Sequence, residues 1–485
     1  MKSQLIIHKY SYLLFKGYAF SIVLSTILAI FFETPLPLLL PIAMLICYQV
    51  LVDYEKLYLL LFLCLPLSTE VFITDHLATD LPTEPLIIGL MLIYVFVCLT
   101  KPYLINSKFI RHPLSILILL HLFWIALTTF TSSEIGFSFK FLLAKIWYIV
   151  TFFYFTQLII KDEKKTTFIL WLIAIPLTIA TTKVIIHHAI LEFGFKEINE
   201  ACPPFFRNHV NYSAILTVFF PFLLFLNKWS NGLSKKTIQV FLIIISFGIL
   251  TAFTRAAYVA LIFAFIAYWV FRLRLAKLAM LISTIVVFGL ISFLITKNKF
   301  MELVPTSQTV AHVELSELVA STAELEDVST MERYYRWIAG AQMVVEKPLL
   351  GFGPGNFYYF YKQYTLNKFS TYVSDNPEKS GIHNYYLMTL IEQGVFGLVI
   401  FLILIYYIVI HGERIFHESE NKKRKDLVMA TLLSVIIIDS FLVMNDMIET
   451  DKIGSFFFFN IAVLVIIDLL NKKEKTEFNL HSGEC

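Results

Sequence analysis

The residues with the clearest chemical potential are four arginines and one histidine. Arg333 and Arg336 stand three apart in a stretch that reads as a helix, so they share a face, and Trp337 lies one turn beyond Arg333. Two guanidinium groups on one face suit an oxygen-rich anion such as a diphosphate, although two solvated surface arginines have the same spacing. Arg255 falls between two apolar runs, in Leu250-Thr251-Ala252-Phe253-Thr254-Arg255-Ala256-Ala257, with almost no loop around it. A charge at that depth marks either a function or an arginine snorkelling from a helix end. Arg207, in Pro203-Pro204-Phe205-Phe206-Arg207-Asn208-His209-Val210-Asn211-Tyr212, sits at the mouth of an apolar span, where binding and plain solvation are both open readings. His383-Asn384 opens the span that follows the longest loop. Histidine can take or give a proton near neutral pH, although a lone histidine is more often structural. Lys145, Lys183, His187 and His188 also fall in or near spans, where each could face a cavity or cap a helix.

The elements that must position these groups are apolar helices. Of 485 residues, 58% are hydrophobic and 15% charged, against about 25% charged in a soluble domain. Segments such as Thr237–Phe253, Tyr258–Phe271 and Leu281–Ile295 are nearly unbroken apolar stretches. A run of roughly 20 such residues crosses the hydrocarbon core as a helix. A membrane β-barrel requires alternation of apolar and polar residues, and this sequence lacks it. The expected fold is therefore all-α: a polytopic transmembrane bundle of 12–14 spans. Fourteen candidate spans centre near residues 24, 43, 62, 92, 121, 149, 178, 218, 245, 263, 285, 396, 437 and 461. The net charge of +3 identifies no partner, and no basic face interleaved with aromatics points to nucleic acid. The five cysteines show neither metal-ligand spacing nor an obvious disulfide pair.

Charge placement sets the expected orientation. With the N-terminus inside, 24 of the 39 basic residues fall in inner segments, while the short outer loops carry Glu33, Glu70, Asp75, Asp80, Glu84 and Glu134. This predicts N-in, C-in and places residues 297–382 outside as one long, partly helical extracytoplasmic loop. Within it, His312–Asp327 reads as a polar helix. Ser329-Thr330-Met331-Glu332 reads as a capping box opening a helix over Met331–Glu346. Gly351-Phe352-Gly353-Pro354-Gly355 reads as a tight turn, because a dinucleotide-binding loop needs a strand before it and a helix after it. The chain divides into N-terminal helices (1–200), central helices with the arginine motifs (201–296), the long loop (297–382) and C-terminal helices with a short inner tail (383–485). Glu392 and Gln393 lie about two turns into the span after the loop, and Gly394 and Gly397 suit close helix packing.

Taken together, several of these motifs resemble the O-antigen ligase and polymerase superfamily of bacterial inner-membrane glycosyltransferases. They are Arg333-x-x-x-Trp337, Lys347-Pro348-Leu349-Leu350-Gly351-Phe352-Gly353-Pro354-Gly355-Asn356-Phe357, His383-Asn384-Tyr385-Tyr386-Leu387 and Glu392-x-Gly394-x-x-Gly397. Thr254-Arg255-Ala256-Ala257 is similar to that family's Ser-Arg-Gly segment, with Thr and Ala as departures, and Arg207–Tyr212 is similar to a weaker upstream motif. The resemblance covers roughly residues 200–410. It implies transfer of a glycan from an undecaprenyl-diphosphate carrier to a hydroxyl at the outer leaflet, with no metal ion and no cofactor. The acceptor is lipid A-core for a ligase or a second lipid-linked glycan for a polymerase. By the same resemblance Arg207, Arg255 and Arg333 bind the diphosphate, with Arg336 as a further candidate. His383 assists the acceptor hydroxyl or orients the phosphate, and Arg255 joins it as a catalytic group. A flippase of lipid-linked glycans is the competing class, but it usually carries an internal repeat, and none is evident. A scaffold without chemistry leaves the ordered basic loop without a purpose.

Overall fold

The computed structural model describes residues 20, 21, 24, 53–74, 77–195, 197–296, 328–366, 374–376 and 380–482. The expected spans near residues 24 and 43, and the expected helix His312–Asp327, lie outside these residues apart from three isolated positions. The described chain is an all-α bundle. Its longer helices are α1 (Tyr54–Cys64), α2 (Thr83–Thr100), α3 (Pro113–Phe130), α4 (Ile135–Tyr148), α5 (Glu163–Ile190), α6 (His209–Trp229) and α7 (Gly232–Thr251). There follow α8 (Arg255–Arg272), α9 (Ala276–Ile295), α10 (Val328–Glu346), α11 (Tyr385–Glu418), α12 (Lys422–Leu442) and α13 (Asp451–Ser482).

Among the described residues, ten helices are long and apolar enough to cross a membrane, and they coincide with ten of the expected spans. The other two expected spans differ. Around residue 62, α1 has only 11 residues. Around residue 437, α12 has 21 residues but opens on five consecutive charges, Lys422–Asp426, and is not among the ten. An antiparallel hairpin, β1 (Thr69–Thr74) and β2 (Leu77–Leu81), follows α1, where the acidic pattern alone had suggested an ordinary loop.

Burial runs from the centre outward. In the membrane-crossing part of α13, 89% of residues are buried, against 6% in α9. α12 packs on α6, α8, α11 and α13, and α3 packs on α11. Helix α10 buries Met331, Tyr335, Ala339 and Met343, four apart, and lies against α11. It begins at Val328, before the expected Met331. Glu332, the expected capping carboxylate, instead accepts from Ser374 Oγ at 2.6 Å and pairs with Arg336 at 3.4 Å.

Candidate active site

His383 is held from both sides. Directly after it, Asn384 caps α11, its side chain accepting from the Leu387 amide at 2.9 Å. Directly before it, α10 grips the two preceding carbonyls. Arg336 donates to Gly381 O at 3.0 Å, and Trp337 Nε1 donates to Ile382 O at 3.0 Å. Gly340, one turn further on, allows this approach, because a Cβ there would stand 2.6 Å from Ile391 and 2.7 Å from Ile382. His383 itself adopts φ 56°, a left-handed conformation that side chains other than glycine rarely take.

The ring of His383 faces Arg336, Arg333 and Asn445. Burial, and then the two guanidinium groups, press its pKa down to about 4, while Asn445 and Glu332 oppose the shift. A histidine in that state is neutral at physiological pH and free to accept a proton. Its Nδ1 and Asn445 Nδ2 are shielded from solvent, and neither makes a well-formed hydrogen bond among the described residues, although the amide stands close enough to raise the His383 pKa. Asp446 packs against Gly381; burial raises its pKa, and the charge of Arg336 partly offsets this. The structure therefore brings Arg333, Arg336 and His383 together. Arg336 is buried and its guanidinium is already engaged by Gly381 and Glu332, whereas Arg333 is half-exposed.

The turn over residues 347–357 is stitched into α11. Helical geometry fails at Gly394 (φ 69°, ψ −175°), a region open essentially only to glycine. The freed carbonyls are taken up from outside the helix: Ile391 O by Phe352 N and Glu392 O by Gly353 N, both at 2.9 Å, and Gln393 O by Trp124 Nε1 at 2.8 Å. The Glu392 carboxylate returns the contact, accepting from Gly355 N at 2.8 Å and Phe357 N at 3.1 Å. Gly351, Gly353 and Gly355 all have positive φ, as a turn requires. Ser138 Oγ donates to Pro354 O at 2.7 Å, and Lys347 Nζ donates to Ser133 Oγ at 2.8 Å, tying the turn to the α3–α4 connection.

The contacts of Arg207 lead to a second group. Arg207 is exposed and pairs with Glu70 of the hairpin, its Nε lying 3.0 Å from Glu70 Oε2 and its Nη2 bonding the other oxygen. This pairing holds the guanidinium charged. Asp80, in the same hairpin, has its pKa raised to about 7 by burial and by Asp451, with Lys452 opposing. Arg255 begins α8 directly after a turn in which Phe253 has φ 50°, and Thr254 Oγ1 donates to His209 O at 3.3 Å. A cation at a helix N-terminus works against the helix dipole, so helix stability does not explain its position. Lys183 donates to Ala201 O and Pro203 O, and His188 Nε2 bonds Gly194 O at 2.9 Å, so both tie down the α5–α6 connection.

The two groups meet along residues 445–452, a segment the sequence reading passed over. Asn445 faces His383. Glu449 pairs with Lys145 at 2.6 Å, Asp451 accepts from Ser68 at 2.8 Å, and Lys452 donates to Phe205 O at 2.7 Å. Six polar residues among these eight, between two apolar helices, were the available signal. One cluster among the described residues has metal-ligand chemistry: His112, His411 and Asp468, buried at the opposite end of the bundle. There His112 Nδ1 accepts from Leu114 N at 3.2 Å, so the proton sits on Nε2, which donates to Asp468 at 3.1 Å. Lys472 binds the same carboxylate oxygen at 2.6 Å. Asp468 is thus the shared acceptor of a charge-assisted hydrogen-bond hub.

These features define a multi-pass helical membrane protein in which Arg333 and Arg336 of α10 stand beside His383 at the start of α11. Residues 240–402 match the family model described as O-antigen ligase, which supports the resemblance to the O-antigen ligase superfamily. The matched region contains Arg255, Arg333, Arg336 and His383, and Arg207 precedes it. The family indicates a glycosyltransferase of ligase or polymerase type in polysaccharide biosynthesis. No curated protein matches the chain.

Proposed function

We propose that the protein transfers a glycan from an undecaprenyl-diphosphate carrier to an acceptor hydroxyl at the outer leaflet of a bacterial inner membrane. In this reading the chain is N-in and C-in, and the Arg–His pocket faces outward. The observation that carries it is the convergence of Arg333, Arg336 and Asn445 on His383, where the shielded His383 Nδ1 and Asn445 Nδ2 make no well-formed hydrogen bond. Such atoms carry an energetic cost unless a ligand satisfies them.

The acceptor hydroxyl gives its proton to His383 Nδ1 as its oxygen bonds the anomeric carbon. The bond from that carbon to the carrier phosphate breaks, and the electron pair leaves with the diphosphate. Arg333 and Arg255 stabilise the charge growing on that leaving group, and Arg207 joins them by exchanging Glu70 for phosphate. Fixed guanidinium groups remain charged at any working pH, so they can do this without a metal ion. Arg336 acts as a positioning residue, fixing Gly381 and hence His383. A lipid A-core acceptor makes the protein a ligase, and a second lipid-linked glycan makes it a polymerase. The shared donor chemistry favours neither.

His383→Ala and Arg255→Ala are each expected to lower glycan transfer by about 10²-fold or more, while membrane insertion and thermal melting stay near wild type. The measurement is transfer from a purified lipid-linked donor, together with the surface-glycan pattern of a deletion strain carrying each variant. Full transfer by both variants would sink the reading. Long unligated polymer in the deletion strain identifies a ligase, and acceptor bearing a single repeat identifies a polymerase.

A further inference from the structure

A groove of about 900 Å³ separates α9 from α11 at the end of the bundle opposite His383. Its size falls within the range of about 300–1,000 Å³ that holds a small ligand. Its wall is apolar, formed by Val399, Leu402, Ile403 and Ile410 of α11, and its mouth carries Arg274, Lys277 and Arg414. From Val399 to Arg414 the wall runs about 22 Å along a helix rising 1.5 Å per residue, somewhat more than one leaflet of a hydrocarbon core roughly 30 Å thick. The groove thus has the length of one acyl chain, with cations where a headgroup would lie.

Three further observations bear on the occupant. α9 is apolar on all sides and only 6% buried, so even its face toward α11 must meet hydrocarbon rather than water. The two helices touch through the hydroxyls of Thr284 and Tyr406. Arg274 adopts φ 60° in the α8–α9 turn, a conformation non-glycine residues hold only under constraint. The two carboxylates at the mouth already have partners. Glu413 accepts from Ala276 N at 2.9 Å, and Glu418 lies 3.6 Å from Arg414 and 3.8 Å from Lys475. Arg274 and Lys277 remain to face a phosphodiester.

We infer that this groove binds an anionic glycerophospholipid, one acyl chain lying between α9 and α11 and the headgroup phosphate on Arg274 and Lys277. Basic pockets between membrane helices bind acidic headgroups by this combination of charge and hydrocarbon. The site holds α9 to the bundle, and α9 leads directly into the long loop. It stands independently of the transferase reading, because lipid retention is measured without turnover.

The test is native mass spectrometry of the full chain, purified and then exposed to an equal mixture of phosphatidylglycerol and phosphatidylcholine. Phosphatidylglycerol is expected to be retained at least about 5-fold over phosphatidylcholine. Arg274→Gln with Lys277→Gln abolishes that preference, whereas Lys277→Arg keeps it. Ile403→Trp, which fills the wall, removes retained lipid of either headgroup. Equal retention of the two lipids, or an unchanged preference in the double variant, overturns the inference. So does efficient cross-linking of Ile285→Cys between copies regardless of added lipid, because a second chain would then cover α9.

Discussion

The two ends of the bundle use buried polar groups in opposite ways. At the far end, charges meet opposite charges. Asp468 gathers His112, His411 and Lys472, and Arg424 lies between Glu163 at 3.1 Å and Glu474 at 2.7 Å. At the His383 end, an ion pair between Arg336 and Glu332 stands beside an uncharged histidine. Arg333 and Arg336 both press the His383 pKa down, and His383 and Phe253 hold left-handed backbones. Where opposite charges meet, polar groups build architecture; where two guanidinium groups press on one uncharged ring held in a left-handed backbone, the site is suited to an anion.

The sharpest way to break this contrast is at Asp468. Asp468→Asn is expected to lower stability by about 3 kcal/mol, because it weakens the buried acceptor that His112 and Lys472 share, while the folded fraction keeps normal transfer per molecule. Thermal melting alongside specific activity separates the two effects. If specific activity collapsed with no change in melting, the far end would have to be counted as part of the chemistry.

Next in size is Gly394→Ala. The backbone conformation alone costs about 1–3 kcal/mol in a residue with a side chain, and the new Cβ would overlap the Leu349 carbonyl. Faster proteolysis within residues 347–357 is the expected readout. Unaltered protection would show that the break in α11 does not hold the turn.

A smaller effect sharpens the role of Arg336. Because His383 stays neutral down to about 4, kcat/KM should hold through mildly acidic pH and fall only as the ring takes up a proton. Arg336→Gln removes a repelling charge, so the acid limb should move to higher pH. An unmoved limb, with activity otherwise retained, would remove His383 as the titrating base. The same depression has a stability sign. Between the ordinary histidine value of about 6.5 and about 4, only the unfolded chain binds this proton, so stability declines as pH falls through that window.

The smallest change expected is Glu70→Gln, which frees Arg207. It should lower KM for the donor a few-fold and leave kcat nearly unchanged, as for an exposed ion pair worth about 1 kcal/mol or less. A rise in KM would mean that Glu70 orients Arg207 for the donor rather than competing with it.

Much of this contrast was legible in the sequence. Continuous apolar runs gave the spans, because lipid leaves the backbone no alternative to a helix. The Asn384 cap and the glycine-rich turn were readable because both depend on local chemistry. The break at Gly394 was not, because a glycine near Gly397 reads equally well as small-residue packing. Residues 69–81 hid a hairpin behind an acidic loop pattern. Asp468 and His112 are 356 positions apart, and periodicity carries no information about such a meeting. The Asp468 charge inside Val465-Ile466-Ile467-Asp468-Leu469-Leu470 was the one available warning.

The seam between residues 352–353 and the broken turn of α11 is made of main-chain bonds. Such a fastening requires the glycines at 353 and 394, whose positive φ and crowded Cβ positions exclude other residues, and elsewhere it is indifferent to side-chain identity short of proline at the donating positions. The loop's side chains are therefore free to diverge toward different acceptors while the register of His383 against the bundle stays fixed. Novelty in what is glycosylated and constancy in how it is glycosylated become separable traits within one polypeptide.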